Sequence, residues 1–154
     1  MQLTMVWKKI CALEAKSAWL YGFYADVFDF IPQVRAFFLE MREEELVHFN
    51  QAAFHQRLVN HNSARFADID VRLDGFDELI SEMDDHVKNG VFDVKDALNF
   101  ALYLEENARE IQVRSIAGKS DPDLDRLCSL MHTEDDGHVQ KIRGFADQWT
   151  RHSG

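Results

Sequence analysis

The stretch MREEELVHFNQA, residues 41–52, decides the fold when it is set beside MHTEDDGHVQKI, residues 131–142. Each places an acid three residues ahead of a histidine, Glu45 before His48 and Asp135 before His138. On a helix that spacing puts both side chains on one face. Stepping outward by alternating threes and fours, the face around the first pair reads Val34, Phe38, Met41, Glu45, His48, Ala52 and His55. Around the second it reads Leu124, Cys128, Met131, Asp135, His138, Ile142, Phe145 and Trp149. Both are apolar stripes interrupted near the middle by a carboxylate and an imidazole, the pattern of long helices turned toward a shared core.

Two further stripes have the same form. Trp7, Ile10, Glu14, Ser17, Tyr21, Tyr24 and Phe28 make one, and Val94, Leu98, Ala101, Glu105, Ala108 and Gln112 the other. The boundaries follow from caps and breakers. A first helix is expected from Leu3 to Phe28, with Thr4 as a candidate cap, and a second from Pro32 to Asn60. A third starts after Asp93 and stops before Gly118, and a fourth opens at Ser120-Asp121-Pro122 and reaches Thr150. Between the second and third, Ser63 to Phe92 carries a short amphipathic helix striped by Phe76, Ile80, Met83 and Val87 and closed by Asn89-Gly90. A connection of that length crosses the whole bundle, so the third helix is expected to run parallel to the second. That is the ferritin-like form of an all-α four-helix bundle, in a single domain spanning residues 1–154.

The composition agrees. Two prolines and seven glycines leave little material for turns, and 46% hydrophobic with 29% charged residues suit amphipathic helices. A net charge of −10 argues against nucleic acid and anionic membrane as partners, since both would repel the chain. Lys8, Lys9 and Glu14 fall where a signal peptide needs an apolar run, and no segment approaches the ~20 apolar residues of a membrane span, so the protein is expected in the cytoplasm. Cys11 and Cys128 form no CxxC motif and are read as reduced core thiols, although Cys11 precedes Glu14 by one turn.

Four carboxylates facing one core would be strongly destabilising without something positive among them, because an unpartnered buried charge costs several kcal/mol. The stripes supply no lysine or arginine. Two divalent cations would neutralise Glu14, Glu45, Glu105 and Asp135, and His48 and His138 would complete a nitrogen and oxygen set suited to iron or manganese, with zinc a possible substitute. The intervals support this: Glu14 and Glu105 are 91 residues apart, Glu45 and Asp135 are 90, and His48 and His138 are 90. A repeat of that kind is expected of a site with approximate twofold symmetry, one half from each hairpin.

With Ala-Leu-Glu14, Glu45-Leu-Val-His48, Ala101-Leu-Tyr-Leu-Glu105 and Asp135-Asp-Gly-His138 in that order, the chain resembles the rubrerythrin branch of the ferritin-like superfamily over nearly its whole length. The resemblance implies a di-iron carboxylate centre, reaction with hydrogen peroxide or oxygen, and a homodimer. Three positions depart from the family pattern. Asp135 is one methylene shorter than the expected Glu, with Glu134 as a rival ligand whose stripe runs through Lys141. Ala108 stands where rubrerythrins carry an extra glutamate, and no CxxC pair provides a rubredoxin domain, so the electron donor is expected to be a separate protein.

Of the remaining candidates, His55 is read as a packing or supporting residue two turns beyond His48, and Tyr21 as a hydrogen-bond partner or relay two turns from Glu14. Glu43, Glu44, Glu106 and Glu110 lie off the stripes and are expected to be ordinary exposed charges. The expected chemistry is oxidation of bound ferrous iron by peroxide or oxygen. An iron-handling ferroxidase or storage-related role and a metal-stabilised helical scaffold without catalysis stay open beside it.

Overall fold

The computed structural model describes residues 2–66, 69–90, 93–117 and 121–153, with the backbone alone at 2, 117, 130–136 and 153. The chain is all-α: α1 (Gln2–Val27), α2 (Pro32–His61), α3 (Phe76–Lys88), α4 (Val94–Ser115) and α5 (Pro122–Ser153). Pro32 starts α2, where its missing N–H costs nothing. Asp93 caps α4 by accepting from the Asp96 backbone N–H at 2.8 Å. Asp121 caps α5 in the same way, its Oδ1 accepting from Asp123 N at 2.9 Å and Leu124 N at 3.3 Å. Gly90, one residue beyond the Asn89 cap of α3, adopts φ +97°, the left-handed turn that ends a helix there.

Side-chain pairings set the helix directions. Thr4 meets Asn60 and Tyr24 meets Phe38, so α1 and α2 are antiparallel. Phe37 stacks on Phe145 and Glu40 pairs with Lys141, so α2 and α5 are antiparallel too. Tyr21 reaches Glu105 and Gln112 reaches Glu14, which makes α1 antiparallel to α4. Thr4 is thus no cap: α1 has already begun at Gln2, and the hydroxyl donates to Asn60 Oδ1 at 2.7 Å, tying two helices together.

The stripes are the core. Trp7, Ile10, Tyr21, Tyr24, Phe38, Met41, Leu98, Ala101, Leu124 and Ile142 are all buried, as are Cys11 and Cys128, which are free thiols. Burial and the nearby Glu14 push the Cys11 thiol up, the opposite of what a reactive thiolate needs. In α3, Phe76, Leu79 and Met83 are buried while Ile80 and Val87 are only partly so; the helix rolls slightly from the expected face. Where α4 was expected to run on to Gly118, it stops at Ser115. The next two residues form β2 (Ile116–Ala117), antiparallel to β1 (Asp70–Val71), and Arg72 N–H donates to Ser115 O at 2.7 Å. This ladder and the Arg65 guanidinium on Asp121 fasten the segment after α2 to the connection between α4 and α5. No helix among the described residues is long and apolar enough to cross a membrane.

Candidate metal centre

The middle turns of four helices each present an acid or an imidazole to the same space. Glu14 on α1, Glu45 on α2, and Glu105 on α4 are buried, as is His138 on α5. His138 Nδ1 lies 2.8 Å from Glu45 Oε1 and 3.6 Å from Glu105 Oε2. His48 Nδ1 lies 4.0 Å from Glu14 Oε2, and the two imidazoles stack with their centroids 4.5 Å apart. Glu45, His48 and His138 each offer a ligand atom within 4.8 Å of the others, so they could hold a metal ion. The side chains of Asp135 and of its rival Glu134 lie outside the described residues.

The electrostatics are those of a cluster short of positive charge. Burial raises the Glu14 carboxyl well above the ordinary carboxylate range, and the charges of Glu45 and Glu105 raise it further. Glu105 is also pushed up by burial, but His138, Glu45 and the Tyr21 hydroxyl together bring it below its usual value. His138 shows the balance from the other side: burial lowers its pKa, and Glu105, Glu44 and Glu14 raise it above the ordinary histidine value. His48 is shifted the other way. Burial and the neighbouring His138 lower it to about 4, against a weaker pull from Glu105 and Glu44. It is therefore a neutral imidazole near pH 7, the form in which histidine ligates metals.

Two neighbours support the acids. Tyr21 O–H donates to Glu105 Oε1 at 2.5 Å, and Gln112 Nε2 donates to Glu14 Oε1 at 3.3 Å. Tyr21 is thus a hydrogen-bond partner of the cluster, through the second hairpin's glutamate and not through Glu14 on its own helix. His55 packs edge-on against Trp7 with centroids 6.3 Å apart, and burial lowers its pKa. That is the contact of a packing residue.

Glu44 corrects the sequence expectation. Only 35% of its side chain is exposed; Oε1 accepts from Lys141 Nζ at 2.5 Å, and Oε2 lies 3.2 Å from His138 Nε2. Glu43, Glu106 and Glu110 are exposed, as expected. The distinction was hidden because Glu44 is one position off its own stripe, and only the approach of α5 makes that flank an interior. A hint lay in Lys141, which shares the stripe side of His138 and needs acids opposite it; Glu40 and Glu44, one turn apart, are those acids.

A pocket of about 350 Å³ opens onto the imidazoles, lined by Glu44, Val47, His48, Gly137, His138 and Lys141. Gly137 faces open space with nothing within 4 Å of where a Cβ would stand. The donor set suits a cation: three buried carboxylates and two imidazoles, among which the buried Nδ1 of His138 has no hydrogen-bond partner. No family model matches the chain, and neither the curated proteins nor the solved structures searched contain a match.

Proposed function

We propose that the protein is a ferritin-like, rubrerythrin-type di-iron protein that oxidises bound ferrous iron with hydrogen peroxide or oxygen. The observation that carries this reading is the convergence of Glu45, His48 and His138 ligand atoms within 4.8 Å of one another, with Glu14 and Glu105 buried around them. The helix directions support the architecture: α2 and α4 are both antiparallel to α1, as a long crossover between two hairpins requires.

Glu14, Glu45 and Glu105, with Asp135 as the fourth acid, would hold two ions, and His48 and His138 would supply nitrogen. A pair of ferrous ions held there would furnish the two electrons that cleave an O–O bond. Tyr21 keeps Glu105 oriented and ionised by donating its O–H. Gln112 orients Glu14 by donating to its Oε1. The aromatic wall of Tyr21, Tyr24 and Phe38 keeps water from the α1 side, which leaves the pocket beside His48 and His138 as the route for a small oxidant. Electrons for repeated turnover would come from a separate donor protein.

The test begins with metal content. Protein produced in iron-sufficient medium should carry about two irons per chain, lost in a Glu45→Ala, His138→Ala double variant. Rapid mixing of the anaerobic ferrous protein with hydrogen peroxide should then oxidise the bound iron stoichiometrically. Oxidation no faster than that of free ferrous iron would sink the catalytic reading.

A further inference from the structure

The described chain leaves two buried polar atoms unsatisfied on either side of one imidazole. His138 Nδ1 has no hydrogen-bond partner although it stands 2.8 Å from Glu45 Oε1, and Glu44 Oε2 accepts no hydrogen bond although it stands 3.2 Å from His138 Nε2. Buried polar atoms at such range are ordinarily paired, and each left alone is unfavourable. A single event satisfies both. A cation taken by Nδ1 fixes the ring proton on Nε2, and the N–H then has an acceptor in Glu44 Oε2.

Resting on the metal-site reading above, the geometry points to Glu44 as the positioning residue of His138. Its carboxylate selects the tautomer that turns the Nδ1 lone pair toward Glu45 and Glu105, and holds the ring plane against rotation. Carboxylates behind metal-bound histidines act in this way generally, fixing the tautomer and raising the basicity of the ligating nitrogen. Glu44 is itself held. Lys141 Nζ binds its other oxygen at 2.5 Å and Glu40 at 2.6 Å, so the carboxylate is anchored at the pocket rim and cannot swing into solvent without breaking that pair. The order Lys141, Glu44, His138 runs from surface to interior.

The two halves of the molecule differ here. His48 has Val47 and Gly137 beside it at the pocket, and its Nδ1 lies 4.0 Å from Glu14 Oε2.

The test compares the wild type with Glu44→Ala, Glu44→Gln and Glu45→Ala. Cobalt(II) affinity is read from the visible spectrum, and the His138 Nε2–H hydrogen bond from its proton shift and solvent exchange by NMR of the zinc-loaded protein. Glu44→Ala should bind cobalt about 10–100-fold more weakly, and its His138 Nε2–H should lose its downfield shift and exchange faster. Glu44→Gln, whose amide oxygen can still accept from Nε2, should recover most of the affinity and the protected N–H. Full affinity with an unchanged Nε2–H resonance in Glu44→Ala would overturn the assignment while leaving the metal site intact. Failure of the wild type to bind cobalt, or equal binding by Glu45→Ala, would remove the site and this assignment with it. A melting curve of the metal-free Glu44→Gln variant matching the wild type separates positioning from a loss of fold.

Discussion

His48 and His138 occupy equivalent places in two sequence motifs 90 residues apart, yet they sit in opposite environments. His138 has Glu44, Glu45 and Glu105 within 3.6 Å and a raised pKa; His48 is more open to solvent, has Glu14 at 4.0 Å, and has its pKa lowered to about 4. The local spacing is the same in both. What differs is the neighbouring helix each ring meets, since α5 brings His138 against the acids of α2 whereas α2 brings His48 to the pocket edge. A repeated motif therefore fixes which residues face the site but not how strongly each is held.

The largest expected effect breaks this comparison directly. Removing His138 in a His138→Ala variant leaves Glu45 and Glu105 buried without their imidazole, and should destabilise the metal-free protein by about 3 kcal/mol in urea melts. His48→Ala should cost less, about 1 kcal/mol, because its ring stands 4.0 Å from the nearer Glu14 oxygen instead of 2.8 Å from a carboxylate as His138 does. Equal losses would mean that the two halves are equivalent after all.

The tyrosines one turn apart on α1 sharpen the same contrast. Tyr21→Phe removes a donor to the buried Glu105 carboxylate and should cost about 1.5–3 kcal/mol, as hydrogen bonds to charged groups do. Tyr24 shares a 2.6 Å hydrogen bond with His86, whose pKa is lowered by burial, so it is a neutral pair and Tyr24→Phe should cost about 0.5–1.5 kcal/mol. Thermal melts of both variants without metal would rank them.

The pH dependence of the two histidines should have opposite signs. His138 has a raised folded value, so its contribution is complete below the ordinary pKa of about 6.5 and fades as pH climbs through the folded value. His48 has a lowered one, so its contribution is complete above about 6.5 and is lost as pH falls toward about 4. Glu14, raised like His138, adds to the alkaline loss. Melting temperatures of the metal-free protein should fall on both sides, with His138→Ala reducing the alkaline fall and His48→Ala the acid one.

The smallest effect concerns the residue ahead of each histidine. Val47 fills that place in the first motif and Gly137 in the second, where a Cβ meets nothing. Gly137→Ala should stabilise α5 by about 0.5–1 kcal/mol, a gain visible as a higher melting temperature. Destabilisation would show that the glycine is needed for its backbone and not merely tolerated.

Much of this was legible in the chain. Periods of three and four located the buried faces of all four long helices, because burial on a helix repeats with its turn: Trp7 through Phe28 and Val94 through Gln112 are buried as the stripes require. Asp93 was legible as a cap because a short acid before an apolar run has few other uses, and Ser120-Asp121-Pro122 as a helix start. The β1–β2 ladder was not, since two-residue strands leave no periodicity and depend on partners 45 and 47 residues away. Nor was Glu44, whose burial is created by another helix. Thr4 has the chemistry of a cap but stands where the helix has already started, and it was the facing Asn60 that decided its bond.

The distance along the chain between Glu45 and His138 also orders events during folding. The α1–α2 hairpin closes over a four-residue turn, so its contacts are local and form early. The site depends on α5 meeting α2, a closure across more than ninety residues, and is therefore among the last features to assemble. Metal uptake in a refolding experiment should lag behind helix formation, which makes a bound ion a reporter of completed docking and not of secondary structure.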